Sequence, residues 1–455
     1  MVNENSQSNN SGCSGNEPEG EQNIVSDIRS NADRRTFLKG TGAVGLAASA
    51  GCLGGGSSSG DAPSGTFKIG VLTSHTGTEN PIGNSIARSA ELAADELNEN
   101  GGVLGNDVEV FVKTTNEQPQ RGKTKYEELT VSENVDFTTG VFTSEVLLNI
   151  MDSIAGQQKV HMTAGAATPE ASTMLTEDYE QYKYWFRTGP VNAHFLGANM
   201  VDFAEANFSD MGWDSVYVLT EDYSWTEPVD EVLRDQLADA DVEVAGMKRY
   251  AGDTSDFSTI YDQVEASDAD AAFVAMAHSG STAIAQYAKQ QRPFAFGGIH
   301  VPMQLPSYWG LVNGACAYSI TQNTATPTSE ITEKTVPYAE AYNEKVGKYP
   351  VYTGYIAYDA VKQYAAAVES TESRNPDDIV SELESSSFTG TAGTLRYYGQ
   401  DEEYPHDIVY DENAEDGVRP LWLQWKPNED GDGGSQTAIF PDSLAEGSYE
   451  SPPWV

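Results

Sequence analysis

Phe67-Lys68-Ile69-Gly70-Val71-Leu72, then Ile82, Ile86, Ala90, Ala93 and Leu97, then Asn100-Gly101-Gly102: this stretch decides the fold. The first six residues are rich in β-branched and aromatic side chains and read as a strand. The apolar residues after them recur every three or four positions, which puts them on one face of an α-helix. The paired glycines then supply a helix stop. Working outward, the unit repeats. Val108 to Val112 reads as a strand, about Arg121 to Ser132 as a polar helix, and Val135 to Phe142 as a strand. A helix follows through Ile154, and Lys159 to Thr163 is a further strand. The pattern restarts after Pro190 with a helix from about His194 to Ala206 and a strand from Ser215 to Thr220. Helices over Glu227–Leu237, Phe257–Glu265 and Thr282–Gln290 then alternate with strands over Val242–Met247 and Ala271–Ala277. Such alternation implies an α/β fold of parallel sheets covered by helices, and two successive sets imply two sheets.

Open α/β sheets bind ligands beyond the carboxyl ends of their strands. Those positions read Ser74-His75-Thr76, Thr143-Ser144, Gly165 to Thr168, Asp222-Tyr223-Ser224-Trp225, His278-Ser279 and His300. Hydroxyls, aromatics and imidazoles in such places suit a cleft for a small molecule. Ser144 sits where a strand gives way to a helix. There a hydroxyl beside unpaired amides favours an anionic or carbonyl oxygen, though capping the helix is an equal use for it.

The 455 residues include 69 Asp plus Glu against 26 Lys plus Arg, a formal charge of −43. The acidic residues are scattered from end to end. At about 1 M salt the Debye length falls to roughly 3 Å, so this composition suits a halophile's salt-rich setting. A hydrophobic content of 39% excludes an acidic disordered chain. The shortage of clustered Lys and Arg excludes nucleic acid as a partner.

At the other end, Arg34-Arg35-Thr36-Phe37-Leu38-Lys39-Gly40 precedes a weakly apolar run ending in Ser49-Ala50-Gly51-Cys52. A twin arginine, a short apolar run and a cysteine behind small residues read as a twin-arginine lipoprotein signal over 1–51. Residues 52–65, with Leu53-Gly54-Gly55-Gly56-Ser57-Ser58-Ser59-Gly60, read as a flexible tether. The expected location is the outer face of the cytoplasmic membrane, held only by lipid on Cys52. Cys13 would leave with the leader, and Cys316 reads as a small buried hydrophobe. No metal-ligand spacing is present and no cofactor is expected.

The chain also resembles type I solute-binding proteins of the branched-chain amino-acid and amide family, which serve ATP-driven importers. The resemblance covers most of 66–425. It is carried by Ile69-Gly70-Val71 with Ser74-His75-Thr76-Gly77, by Gly83, and by Ala93 through Asn98-Glu99-Asn100-Gly101-Gly102-Val103-Leu104-Gly105. Gly140-Val141-Phe142-Thr143-Ser144, Ala166-Ala167-Thr168-Pro169-Glu170 and Phe186-Arg187-Thr188 continue it in the family's order. It implies two lobes joined by three hinge crossings, expected near Gly189, Gly314 and Phe388. Lobe 1 would be 66–189 plus 315–387, and lobe 2 would be 190–314 plus 388–455. Leu421-Trp422-Leu423-Gln424-Trp425 resembles the family's terminal strand, and no role is evident for the tail from Asn428.

The resemblance implies ligand contacts at Phe142, Ser144, Ala166, Ala167, Thr168, Tyr223, Trp225, His278 and His300. Thr168 matches only with a one-residue shift, because Ala167 falls on the hydroxyl position. His300 falls near the acid that pairs with an amino acid's ammonium, and a neutral imidazole cannot do that. Glu221 or Asp222 could supply the charge instead. The function implied is a lipid-anchored, non-enzymatic receptor that closes on a small polar solute and presents it to importer permease subunits. The solute would be a branched-chain amino acid, amide, urea or organic acid. A sensor docking on a separate transducer is the second reading. An extracellular amide or ester hydrolase is the third, and it lacks a Gly-x-Ser-x-Gly elbow.

Overall fold

The computed structural model describes residues 64–75, 80–411 and 416–455. The expected leader, lipid site and tether, apart from 64 and 65, lie outside these residues, as does Thr76. The opening segment forms strand β1 (Phe67–Thr73) and helix α1 (Pro81–Glu99). Asn80 caps that helix by accepting the Gly83 N–H at 2.6 Å, and Pro81 sits at its first turn. The helix buries Ile86, Ala90 and Ala93 against the sheet and ends at Asn100.

Next come β2 (Val108–Thr114), α2 (Pro119–Glu127), β3 (Phe137–Gly140), α3 (Ser144–Gln157) and β4 (His161–Ala164). Helices α4 (Glu170–Glu177) and α5 (Tyr179–Tyr182) lead to β5 (Trp185–Gly189). The sheet is parallel with order β2-β1-β3-β4-β5. Strand order reverses between β1 and β3, so the topological switch point lies at their carboxyl ends.

The second set is α6 (Ala193–Met211), β6 (Ser215–Glu221), α7 (Thr226–Gln236), β7 (Glu243–Tyr250) and α8 (Ser258–Ala266). It continues with β8 (Ala271–Met276), α9 (Gly280–Gln290) and β9 (Ala295–His300). This sheet is also parallel, with order β7-β6-β8-β9 and its switch point between β6 and β8. Every residue of β8 is buried, as a strand covered on both faces must be.

The rest of the chain corrects two expected crossings. After the short α10 (Tyr308–Leu311), strand β10 (Ile320–Asn323) still lies beside β9 of the second lobe, though it belongs to a separate three-stranded sheet. Thr321 Oγ1 donates to the His300 carbonyl at 3.1 Å, and β10 pairs antiparallel with β13 (Leu421–Pro427). The chain therefore returns to the first lobe after Asn323, not at Gly314. There α11 (Thr335–Val346), α12 (Tyr352–Thr371) and α13 (Pro376–Ser385) pack, with Tyr364 of α12 stacked on Phe137 at 3.9 Å. The expected third crossing at Phe388 is instead the small hairpin β11 (Phe388–Thr389) and β12 (Thr394–Leu395). It stays on the first lobe, because Thr391 donates to Asp359 of α12 at 2.8 Å and the His406 ring stacks on Phe186 at 3.9 Å. The last crossing lies between Gly417, which still bridges to Thr394 of β12, and Leu421. From there β13 lays Trp422 on Phe203 of α6 at 3.9 Å. It is not the terminal strand: β14 (Gly434–Phe440), within the unassigned tail, pairs with it antiparallel.

Candidate functional site

The two switch points face one another, and a cavity of about 70 Å³ lies between them. That is several times the ~10–15 Å³ one water needs. Its walls are mainly apolar, with Phe142, Ala167, Val191, Trp225, Ile299 and Tyr352 contributed from both lobes and the crossings.

The first-lobe wall depends on a tight backbone path. Gly140 has φ +110°, and a Cβ there would stand 2.1 Å from the Leu72 carbonyl oxygen. Val141 follows at φ +68°, a left-handed conformation that a β-branched residue adopts only when its surroundings force it. Its N–H is tied to Leu72 O at 2.8 Å and its carbonyl to the Ala166 N–H at 3.0 Å. These turns aim Phe142, Thr143 and Ser144 into the cleft at the amino end of α3. Ser144 Oγ accepts the Thr168 N–H at 3.2 Å and keeps its own proton free. Beneath this loop lies the fully buried Arg187 of β5. It pairs with Asp407 and donates to the carbonyls of Ala166 and Thr168. Asp407 also accepts from Ser172 and Asn192, both at 2.7 Å.

The second-lobe wall is organised by Glu221. Its carboxylate accepts the backbone N–H groups of Ala277, His278 and Ser279 at 2.7–2.9 Å. Burial pushes the Glu221 pKa up, but the His278 side chain and these three amides outweigh it and leave the carboxyl below its usual range. The His278 ring stacks on Tyr223 with centroids 4.3 Å apart. Glu117, then Glu221, raise the His278 pKa against desolvation, to about 9.

Of the residues implied by the resemblance, Phe142, Ser144, Ala167, Tyr223, Trp225 and His278 line the cavity. Three do not. Ala166 is buried below the loop, where its carbonyl meets Arg187. Thr168 spends its hydroxyl on the N–H of Glu170, the first residue of α4, at 3.3 Å. His300 is fully buried behind the wall, its Nδ1 accepting the Met303 N–H at 3.1 Å, and burial lowers its pKa to about 4. The two substitute acids are also engaged elsewhere. Glu221 is saturated by amides, and Asp222 is exposed and paired with Arg249 at 2.9 Å.

Sequence reading missed Gln304, Gln322, Asn323 and Thr324, which line the cavity from β10 and the turn after β9. Gln322 and Asn323 end β10, Thr324 follows it and Gln304 follows β9, two strands that the local pattern does not mark. Gln304 is distinctive. Its Nε2 donates to the Gln322 carbonyl at 2.8 Å, which fixes the amide orientation and leaves Oε1 a buried acceptor without a protein partner. Among the described residues, no group of three or more His, Cys, Asp or Glu converges to hold a metal ion. Nor, among them, is any helix long and apolar enough to cross a membrane.

Comparison with known proteins agrees with this geometry. A family model described as periplasmic binding protein matches residues 66–410. Over 102 residues the chain is 28% identical to the Leu/Ile/Val-binding protein BraC3 of Rhizobium johnstonii, covering 22% of this chain and 28% of that relative. The chain thus aligns with under a third of that curated relative's length. Among solved structures, the substrate-binding protein LivJ of Streptococcus pneumoniae, in complex with isoleucine, superposes with a TM-score of 0.67 at 17% identity. It covers 83% of this chain and 100% of its own. A solute binding protein from Rhodopseudomonas palustris, in complex with 3,4-dihydroxy benzoic acid, gives 0.68 at 17% identity over 84% and 98%. The match over 66–410, on a fold of two facing parallel sheets, means that the chain belongs to the periplasmic binding protein family.

Proposed function

We propose that this protein is an extracytoplasmic solute receptor of an ABC importer, carrying a small solute with an apolar body to permease subunits at the membrane. The cavity between the two switch points carries this reading. Ser144 and the amino end of α3 suit a carboxylate or carbonyl at one end of the solute. At another point Gln304 Oε1 calls for an O–H or N–H donor, since a buried acceptor left unpaired costs about 1–3 kcal/mol. Phe142 and Trp225 cover the body between them. The solute is a branched-chain amino acid, or an amide, substituted urea or organic acid with an apolar body. The relatives' isoleucine and dihydroxybenzoate complexes fall within that range.

Ser144 Oγ, held by an amide hydrogen bond, suits gripping a ligand more than attacking one. The receptor reading is therefore favoured over a hydrolase. The leader motif supports twin-arginine export and anchoring by lipid on Cys52, and the charge of −43 supports a high-salt habitat and no nucleic-acid partner.

A thermal-shift screen in molar KCl tests this, using isoleucine, leucine, benzoate, 4-hydroxybenzoate, acetamide and urea. A bound solute raises the melting temperature by mass action. Trp225→Ala should weaken the best binder at least about tenfold, or 1.4 kcal/mol. No shift from any compound, or unchanged affinity in the variant, counts against the site.

A further inference from the structure

We propose that His278 is the clasp that holds the two lobes shut, a cation gripped between Glu117 of the first lobe and Glu221 of the second. This rests on the two-lobed receptor reading and adds what keeps the closed form closed. His278 Nε2 lies 3.6 Å from Glu117 Oε2, and Nδ1 lies 3.5 Å from Glu221 Oε2. Glu117 follows β2 and also faces His75 Nδ1 at 3.5 Å. The second half of the clasp is built in. The His278 N–H is bound to Glu221, and its ring rests on Tyr223. The half that closure brings in is Glu117. A second tie runs beside it, Ser224 Oγ donating to Glu145 Oε1 at 2.9 Å.

Charge explains why a clasp is needed. The mouth of the cleft is lined by Glu117 and Glu145 from one side and by Asp222 and Glu227 from the other. Closing the lobes pushes these acids together. Arg249 answers Asp222, and three amides answer Glu221. Among the described residues lining the mouth, His278 is the one basic side chain. The groups facing it are Glu117 with His75 behind it, Glu145 of α3, Glu221 at the end of β6, and Asp222 and Tyr223 just after it. Glu227 of α7 and Tyr250 of β7, which reaches Ser279 at 3.3 Å, complete the set.

The sign follows from the geometry. Opening removes Glu117, the larger cause of the raised pKa, so closure takes up a proton. The clasp acts fully below the open-form pKa and is lost as pH rises through about 9.

The test uses the full chain with 13C-labelled histidine and no added solute, so its outcome is independent of the solute screen. His278 is assigned by the loss of its signal in His278→Asn. In the wild type it should titrate more than about one unit above the ordinary ~6.5, and Glu117→Gln should lower that by at least about one unit. Small-angle scattering between pH 7 and 10.5 should show the wild type's radius of gyration growing with pH. His278→Asn, which removes only the titrating ring, should be expanded and insensitive to pH. A His278 titrating at its ordinary value, the same value in Glu117→Gln, or a compact His278→Asn overturns the proposal.

Discussion

Arg187 is fully buried, and two of its guanidinium hydrogen bonds hold carbonyls of the loop that forms one wall of the cavity. Its guanidinium is satisfied by Asp407 and two carbonyls, so the charge is paired and hydrogen-bonded as burial requires. Arg187→Met would leave Asp407 buried without its cation. It should cost roughly 3–5 kcal/mol in urea unfolding at fixed salt; a loss under about 1 kcal/mol would show the pair to be dispensable. At this scale the sequence was partly legible. Ser144, Tyr223, Trp225 and His278 follow strands, and position alone singles them out. Arg187 could not be read in this way. Its partner lies 220 positions downstream, in a segment without regular structure. Gln304 escaped notice because a lone glutamine in a loop is ordinary until its Oε1 is seen to be buried and unpaired.

Elements were more legible than residues, because periodicity is local. Most strand–helix pairs from β1 to α9 follow short apolar runs or helical repeats, and their bounds differ from those expected by a few residues at most ends, whereas α4, α5, β5 and β9 were not expected. The strand expected over Val135–Phe142 is the instructive exception, since β3 stops at Gly140. The last apolar residues, Val141 and Phe142, leave the sheet through two left-handed turns and enter the cavity wall. Gly140→Ala tests that turn. A Cβ would clash with the Leu72 carbonyl at 2.1 Å in a backbone conformation unfavourable to L-residues. The variant should lose about 1–3 kcal/mol of stability and bind solute more weakly; full retention of both would refute the constraint. β10 and β13 were illegible as a pair, because antiparallel partners about 100 residues apart leave no local trace of their pairing, while β14 joins β13 through a short hairpin in the tail.

For the whole molecule, charge sets the conditions under which everything else operates. With a formal charge of −43, the native state is opposed by its own repulsion, and salt relieves it as the Debye length falls from about 10 Å at 0.1 M to about 3 Å at 1 M. The melting temperature should therefore rise steadily with KCl over that range. A flat or falling curve would show that the acidic surface is not the limiting term. The sequence by itself determined the class of fold, two parallel sheets, because alternating hydrophobic periods leave a chain few other ways to bury its apolar faces. It also settled the likeness to solute-binding proteins and the set of strand ends from which a site is assembled. Tertiary structure alone decided where the chain crosses between lobes. It also decided which strand-end residues face the cavity and which lie behind it, as Thr168 and His300 do. The physical reason is that burial and pairing depend on partners distant in sequence, and local pattern carries no record of them.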